Sequence, residues 1–298
     1  MKDQIESFLK FLEIDKGYAQ NTIAAYQNDL NQFYQYLQNE KKQQKIERWS
    51  DIKKNVITDY VADLKNSGEY ASSTIARKVA AVKSFFHYLL AESEIKEDPT
   101  YTLDSPKVKK RLPKAITPGE IDRLLRAPAA ESGPKAQRDM ALLEMLYASG
   151  MRVTELVSLD LADVDLDSES GATVRVKGKK ANAKERIIPI SPSAAEVVGY
   201  YIRNGRQQLA IDPNAEALFL NNRGQRLTRQ GLWLIIKHYV EAVGISEEVT
   251  PHTLRHSFAA HKLSQGKSLQ DIQKLLGHAN ISTTQVYAHL QESKKEPK

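Results

Sequence analysis

The sequence contains no cysteine. That absence excludes disulfide staples, thiol nucleophiles and zinc sites built on thiolates. Long apolar runs are missing too, since no stretch approaches the roughly 18 residues that a membrane span needs. The opening residues, MKDQIESFLKFLEI, carry acidic side chains and no small-residue cleavage site, so they do not read as a secretory signal. No HExxH phrase is present to hold a catalytic zinc ion on one helix face. A cytoplasmic location fits these gaps.

What is present is ordinary in bulk and uneven in distribution. The 298 residues are 41% hydrophobic and 27% charged, enough for two domains with separate cores. The net charge is +6, but residues 1–104 carry 14 Lys and Arg against 16 Asp and Glu, which leaves +8 for residues 105–298. Five of those positive charges fall in SPKVKKRLPK at 105–114: Lys107, Lys109, Lys110, Arg111 and Lys114. Such a run is ordinarily a solvated linker. Between two domains it also suits a segment that tracks a phosphate backbone. Binding by residues 1–104 would then need a basic face, because that region has no basic bulk.

The periodicity divides the chain in the same place. Ile5, Phe8, Leu9 and Leu12 recur at helical spacing, as do Ile23, Tyr26, Leu30, Phe33 and Leu37, with Asn21 or Thr22 available as a cap. Ile52–Leu64 reads as a third helix. Ser72 or Ser73 opens a fourth, with Ile75, Val79, Val82, Phe86 and Leu89 on its stripe and Arg77, Lys78, Lys83 and His87 off it. Asp98-Pro99 and the prolines at 106 and 113 close this helical bundle. In the second part, Thr117-Pro118-Gly119-Glu120 is a capping-box pattern with proline at the first helical position. A nearly all-apolar helix from Gln137 to Ala148 reads as central, ended by Gly150, and Met151–Leu156 begins another helical segment. The period then shifts. Thr173–Val176 and Arg186–Ile190 flank GKKANAK as a β-hairpin with Lys179 at its tip. Thr228 caps a helix through Trp233, Ile236 and Tyr239 to Gly244. Leu269–Leu276 precedes Gly277, and Ser282–Gln285 has the form of a second capping box, which would put Tyr287 in the first turns of a helix.

The last fifth of the chain concentrates reactive side chains in three phrases: TPHTLRH at 250–256, LLGH at 275–278 and TTQVYAHL at 283–290. Singly, each has a plain structural reading, His252 as a cap, Arg152 as a surface cation and Tyr287 as core. Jointly they match what cleavage of a phosphodiester without metal requires. Arginines present permanent charge and a planar fork to nonbridging oxygens. A tyrosine can attack if a positive field or a base removes its proton. A lysine or histidine can protonate the departing oxygen. His252 and Arg255 are three residues apart and share a helix face. His256 is read as a structural support for that pair.

The set resembles the tyrosine recombinase (phage-integrase-like) family, most of all its Xer branch. The likeness is carried by SGMRVTELVSLDLADVDL at 149–166, VRVKGKKANAKERIIPI at 174–190, LTRQGLWLIIKHYVEAVGI at 227–245, TPHTLRHSFAAHKLSQG at 250–266 and LLGHANISTTQVYAHL at 275–290. NTIAAYQNDLNQFYQYL and SSTIARKVAAVKSFFHYLL extend it into the first domain, so almost the whole chain is covered. The resemblance implies a mainly α fold with a small β-hairpin or sheet. Residues 1–104 would be a SAM-like core-binding bundle, 105–114 a basic linker and 115–298 a mixed α/β catalytic domain, closing as a C-shaped clamp on DNA.

It further implies a site-specific recombinase that works without metal, ATP or any cofactor, through a 3′-phosphotyrosyl intermediate and a Holliday junction. Tyr287 would be the nucleophile, and Arg152 and Arg255 would hold the nonbridging oxygens. His252 and His278 would complete the cage, with His252 taking the tyrosine proton. Lys179 would be the leaving-group acid. The family's hairpin usually reads G-K-G-x-K-x-R, whereas this one runs Gly178-Lys179-Lys180-Ala181-Asn182-Ala183-Lys184-Glu185-Arg186, so Lys180 and Lys184 are rivals. Arg77, Lys83, Lys107, Lys109, Lys110 and Arg111 are candidate backbone contacts. The implied partners are a specific duplex site, a homo- or heterotetramer on two duplexes, and a translocase or accessory activator, with no membrane and a nucleoid-associated place in the cytoplasm. The chain ends eleven residues after Tyr287, a short tail for a segment that in the family docks on a neighbouring protomer. Chromosome dimer resolution is the leading role. A mobile-element integrase, a type IB topoisomerase, a non-catalytic DNA-binding regulator and a metal hydrolase on His252, His256 and His278 are the alternatives.

Overall fold

The computed structural model describes residues 1–38, 46–104, 115–169, 171–178, 185–246, 249–278 and 280–287. The chain divides into two compact units between Arg111 and Leu112. Lys107, Lys109, Lys110, Arg111 and Lys114 lie outside the described residues, as do Lys179, Lys180 and Lys184.

The first unit holds α1 (Lys2–Ile14), α2 (Gln20–Leu37), α3 (Lys54–Asn66) and α4 (Ser72–Ala91), with α4 packed against the other three. The apolar stripes meet in an aromatic core. Phe8 and Phe85 lie 5.4 Å apart, Phe33 and Tyr60 4.8 Å, and Trp49 and Phe85 4.8 Å, in tilted or edge-on arrangements that suit the ring quadrupoles. Two local expectations are corrected. Helix α2 starts one residue before Asn21 with Ala19 in the N-cap position, so neither Asn21 nor Thr22 occupies it. The third helix starts at Lys54, because residues Trp49–Asp51 form a separate 3₁₀ turn. Lys78, off the apolar stripe, is 6% exposed and donates to Asp29 at 3.1 Å, with Arg77 paired to the same carboxylate. Lys83 donates to the Leu103 carbonyl at 2.8 Å.

The second unit is built around α6 (Pro134–Ser149), whose Leu142, Leu143, Met145 and Leu146 are fully buried. Around it pack α5 (Pro118–Arg126), α7 (Val153–Leu156), α8 (Pro192–Arg203), α9 (Gly205–Leu209) and α11 (Pro251–Ser264). The expected capping box at Thr117 is formed, with Glu120 reaching back to the Thr117 amide at 2.7 Å. Thr228 caps α10 (Arg229–Ala242) through the Gly231 amide at 3.0 Å. A three-stranded antiparallel sheet runs β1 (Val164–Asp165), β2 (Thr173–Val176), β3 (Arg186–Pro189). Val174 pairs with Ile188 and both are buried, whereas Arg175 pairs with exposed Ile187, the alternation that a one-faced sheet dictates. The same register sets Arg186 opposite Val176.

Helix α12 (Leu269–Leu276) ends in a left-handed Gly277, and α13 (Ser282–Gln285) follows. The N-cap position differs from the one expected here. Ile281 is the N-cap of α13, and Tyr287 lies in the turn beyond the helix rather than inside it. Among the described residues no helix is long and apolar enough to cross a membrane.

Candidate active site

Arginines at this site are seated by the ends of helices. The last carbonyls of an α-helix have no partner within it and carry partial negative charge. Arg255, on α11 and 6% exposed, donates through Nη1 to the Gly150 carbonyl at 2.6 Å and through Nη2 to the Leu276 carbonyl at 2.6 Å. It therefore joins the C-terminal ends of α6 and α12. Burial, and then the like charge of Arg152, lowers its pKa to about 10, which leaves it a cation at neutral pH. Both helix ends need glycine. Gly150 has φ +59° and Gly277 φ +63°, and a Cβ on Gly150 would sit 2.4 Å from the Phe258 ring.

Arg152 immediately precedes α7 and is held by Glu155. That carboxylate accepts from the Arg152 amide at 2.7 Å and from its Nη1 at 3.0 Å, while Arg152 Nη2 donates to the Gly277 carbonyl at 3.2 Å. Arg186 approaches the same carboxylate as a fork, Nη1 at 3.0 Å and Nη2 at 2.8 Å, and donates through Nε to the Leu275 carbonyl at 3.2 Å. Burial works against the charge on Glu155. The Arg186 and Arg152 hydrogen bonds and the two guanidinium charges outweigh it and hold the carboxyl down at about 2.

His278 completes the frame. Its ring contacts Arg255 Nη2 through Nε2 at 3.1 Å and Thr284 Oγ1 through Nδ1 at 2.9 Å. A guanidinium has only donors, so Nε2 is the acceptor and the ring proton is on Nδ1, facing Thr284. Burial, with Arg255 and Arg152 nearby, pushes the imidazole pKa down to about 4, so the ring is neutral at physiological pH. In this state His278 orients Arg255. To donate to a phosphate through Nε2 it must gain a proton there, which ends its acceptance from Arg255.

Tyr287 is 3% exposed and packs with Phe258, Ala259, Leu263, Ile272 and Leu276. Its ring meets that of His256 edge-on at 5.0 Å, which gives His256 the supporting position expected of it, although against the tyrosine rather than the phosphate-facing pair. Burial raises the phenol pKa, and the charges of Arg255 and Arg152 pull it back. A phenol so covered meets a duplex phosphate only if its turn shifts. Thr284 tethers that turn to His278, and the Tyr287 amide donates to the Thr284 carbonyl at 3.0 Å.

Arg152, His252 and Arg255 line one cavity of about 270 Å³, together with Thr154 and Arg229. His252 is exposed, one turn from buried Arg255 on the same helix. A larger hollow, of about 760 Å³, lies beside Glu144, Tyr147 and His261, and none of these cavity residues lines it. Charge identifies the smaller one. Arg77 and Lys83 belong to the first unit and carry the internal contacts already given. Sequence reasoning passed over Glu155, Arg186, Arg229 and Thr284. Only Glu155, at the third position after Arg152, left a local signal. Among the described residues no three His, Asp or Glu side chains are grouped to hold a metal ion.

Residues 114–294 match the model of the Phage integrase family, and residues 5–93 match that of the Phage integrase, N-terminal SAM-like domain. The chain is 49% identical to the tyrosine recombinase XerC of Herpetosiphon aurantiacus, over 97% of this chain and 91% of that one. It is 42% identical to the tyrosine recombinase XerD of Halalkalibacterium halodurans, over 99% and 95%. The chain belongs to the phage integrase family, as a Xer-type tyrosine recombinase. The recombinase also shares its fold with the XerH site-specific recombinase bound to palindromic difH substrate in a post-cleavage complex. There the TM-score is 0.76 at 21% identity, covering 99% of this chain and 82% of that one. In the recombinase, as in the sequence reading, the fold is mainly helical with one small sheet, a SAM-like N-terminal unit and a catalytic C-terminal unit.

Proposed function

We propose that this recombinase cuts and rejoins DNA at a specific site, that Tyr287 is its nucleophile, and that its role is the resolution of chromosome dimers in the nucleoid. The observation that carries the reading is the cationic cavity of Arg152, His252 and Arg255, coupled through Arg255, His278 and Thr284 to the turn that bears the only tyrosine of the C-terminal phrases. A phosphodiester entering that cavity meets two guanidinium groups already fixed in place, so little reorganisation is needed when charge builds on its nonbridging oxygens.

The phenol oxygen of Tyr287 would attack phosphorus and form the 3′-phosphotyrosyl bond as the bond to the 5′-oxygen breaks. The phenol proton would pass to His252, and the leaving 5′-oxygen would take a proton from Lys179 or one of its neighbours Lys180 and Lys184. One phosphoester replaces another, so the 5′-hydroxyl of a partner strand can reverse the step without ATP. Four protomers on two duplexes would exchange strands in pairs through a Holliday junction. The XerC and XerD names of its relatives support the chromosomal role over that of a mobile-element integrase.

The test is a nicked suicide duplex carrying the site, selected from randomised DNA on the purified protein. The expected product is a covalent protein–DNA band that survives chelator and disappears in Tyr287→Phe. A band that persists in Tyr287→Phe removes the nucleophile assignment.

A further inference from the structure

We propose that Arg186 is a positioning residue for strand cleavage, holding Arg152 through Glu155 and holding the segment that leads to His278 through the Leu275 carbonyl and the backbone of Gly277. The inference rests on the proposed assignment of Arg152 and His278 to the cleavage site. Arg186 itself does not line the cavity shared by Arg152, His252 and Arg255.

One guanidinium connects three segments that are distant in sequence. Arg186 is the first residue of β3, Glu155 is 31 positions away on α7, and Leu275 is 89 positions away in the last turn of α12. Two N–H groups close a fork on Glu155 while Nε takes the carbonyl, an arrangement that needs a planar group with donors on two edges. A lysine ammonium supplies the charge without that plane. Gly277 belongs to the same construction. A Cβ there would meet the Arg186 guanidinium at 2.9 to 3.2 Å, so the cation packs directly on the backbone that precedes His278. Since the Gly277 carbonyl also receives Arg152, the contacts form a closed circuit: Arg186 to Glu155, Glu155 to Arg152, Arg152 to Gly277, Gly277 to Arg186. Displacing any member moves the others.

This circuit sets where two side chains at the reacting phosphate stand, so its loss should fall on the chemical step. Duplex affinity is spread over many backbone contacts and should be little altered. The experiment compares native protein, Arg186→Lys and Arg186→Gln for single-turnover cleavage of the suicide duplex, for affinity by gel shift, and for the ring-nitrogen NMR signals of His278. Both variants are expected to cleave on the order of 100-fold more slowly. Their duplex affinity is expected to stay native, and the His278 signals should shift or broaden. Arg186→Lys keeps the charge and guards against a variant that merely fails to fold. Full native cleavage by Arg186→Lys overturns the proposal, because charge alone would then suffice. A loss of affinity in proportion to rate, or unchanged His278 signals, overturns it as well. If the native protein itself forms no covalent band, the assignment of the site fails instead, and the two failures are distinguishable.

Discussion

His278 accepts a hydrogen bond from Arg255 through Nε2 at 3.1 Å, and this contact fixes which ring nitrogen carries the proton. The His278 pKa is about 4 in the fold against the ordinary 6.5. Between those values the unfolded chain binds a proton that the folded chain refuses. The contribution to stability is therefore whole above pH 6.5 and shrinks as pH falls toward 4. Glu155 extends the trend, because its carboxyl is held at about 2 against 4.5 and its contribution fades below pH 4.5. Calorimetry of the catalytic unit should show a transition temperature that falls steadily between pH 7 and pH 4. Ring-nitrogen NMR should show a neutral, Nδ1-protonated His278 at pH 6. A His278 that titrates near 6.5 would refute the arrangement.

Gly150→Ala should be costly for two separable reasons. The left-handed backbone at φ +59° penalises any side chain, and the new methyl would enter the Phe258 ring. Gly68→Ala is the control, with φ +68° and nothing within 4 Å. The control is expected to lose about 1 kcal/mol, the ordinary left-handed penalty. Gly150→Ala should lose about 2 to 4 kcal/mol, since overpacking adds to strain. Its cleavage should also drop because the Gly150 carbonyl seats Arg255. Equal losses in urea unfolding would mean that the ring yields freely.

Much of this was legible because it is local. The stripes of α1 and α4, the Thr117 and Thr228 caps, and the helix-ending Gly150 and Gly277 each declare themselves within a few residues. The caps proposed at Asn21, Thr22 and Ser282 failed because a polar residue near a helix start is common, and only backbone geometry says which position is the cap. The burial of Lys78 was not legible because its partner Asp29 lies on another helix. Arg186 was hidden for the same reason: nothing near it in sequence shows that a carboxylate and a helix end converge on it. The Xer phrases marked Arg152, Arg255, His278 and Tyr287, while the side chains that hold them are spread through the chain.

In the first unit, Asp29 is 1% exposed and paired with both Lys78 and Arg77. Asp29→Ala would leave the Lys78 ammonium buried without its counter-charge, and the unit should lose about 3 to 5 kcal/mol. The double substitution Asp29→Leu with Lys78→Met removes both charges and should recover most of that loss. If the double variant is as unstable as the single one, the cost lies in packing and not in the stranded charge.

Among the described residues the buried His256 Nδ1 has no hydrogen-bond partner, and burial, followed by His252 and Arg255, lowers the imidazole pKa. His256→Phe keeps an aromatic ring against Tyr287 and removes the unsatisfied nitrogen. Its unfolding free energy should equal or exceed the native value. A destabilised variant would reveal a polar role that packing does not explain.

The carbonyls of Gly150, Leu275, Leu276 and Gly277 anchor three arginines, which places a constraint on length that has nothing to do with side-chain identity. A single residue inserted into α6 or α12 would turn the following carbonyls by about 100° and carry them about 1.5 Å along the axis. The guanidinium groups would then face the wrong side of the helix, even with every reactive residue still present. These two helices are thus rulers, and insertions that surface connections absorb would disarm the protein if they fell here.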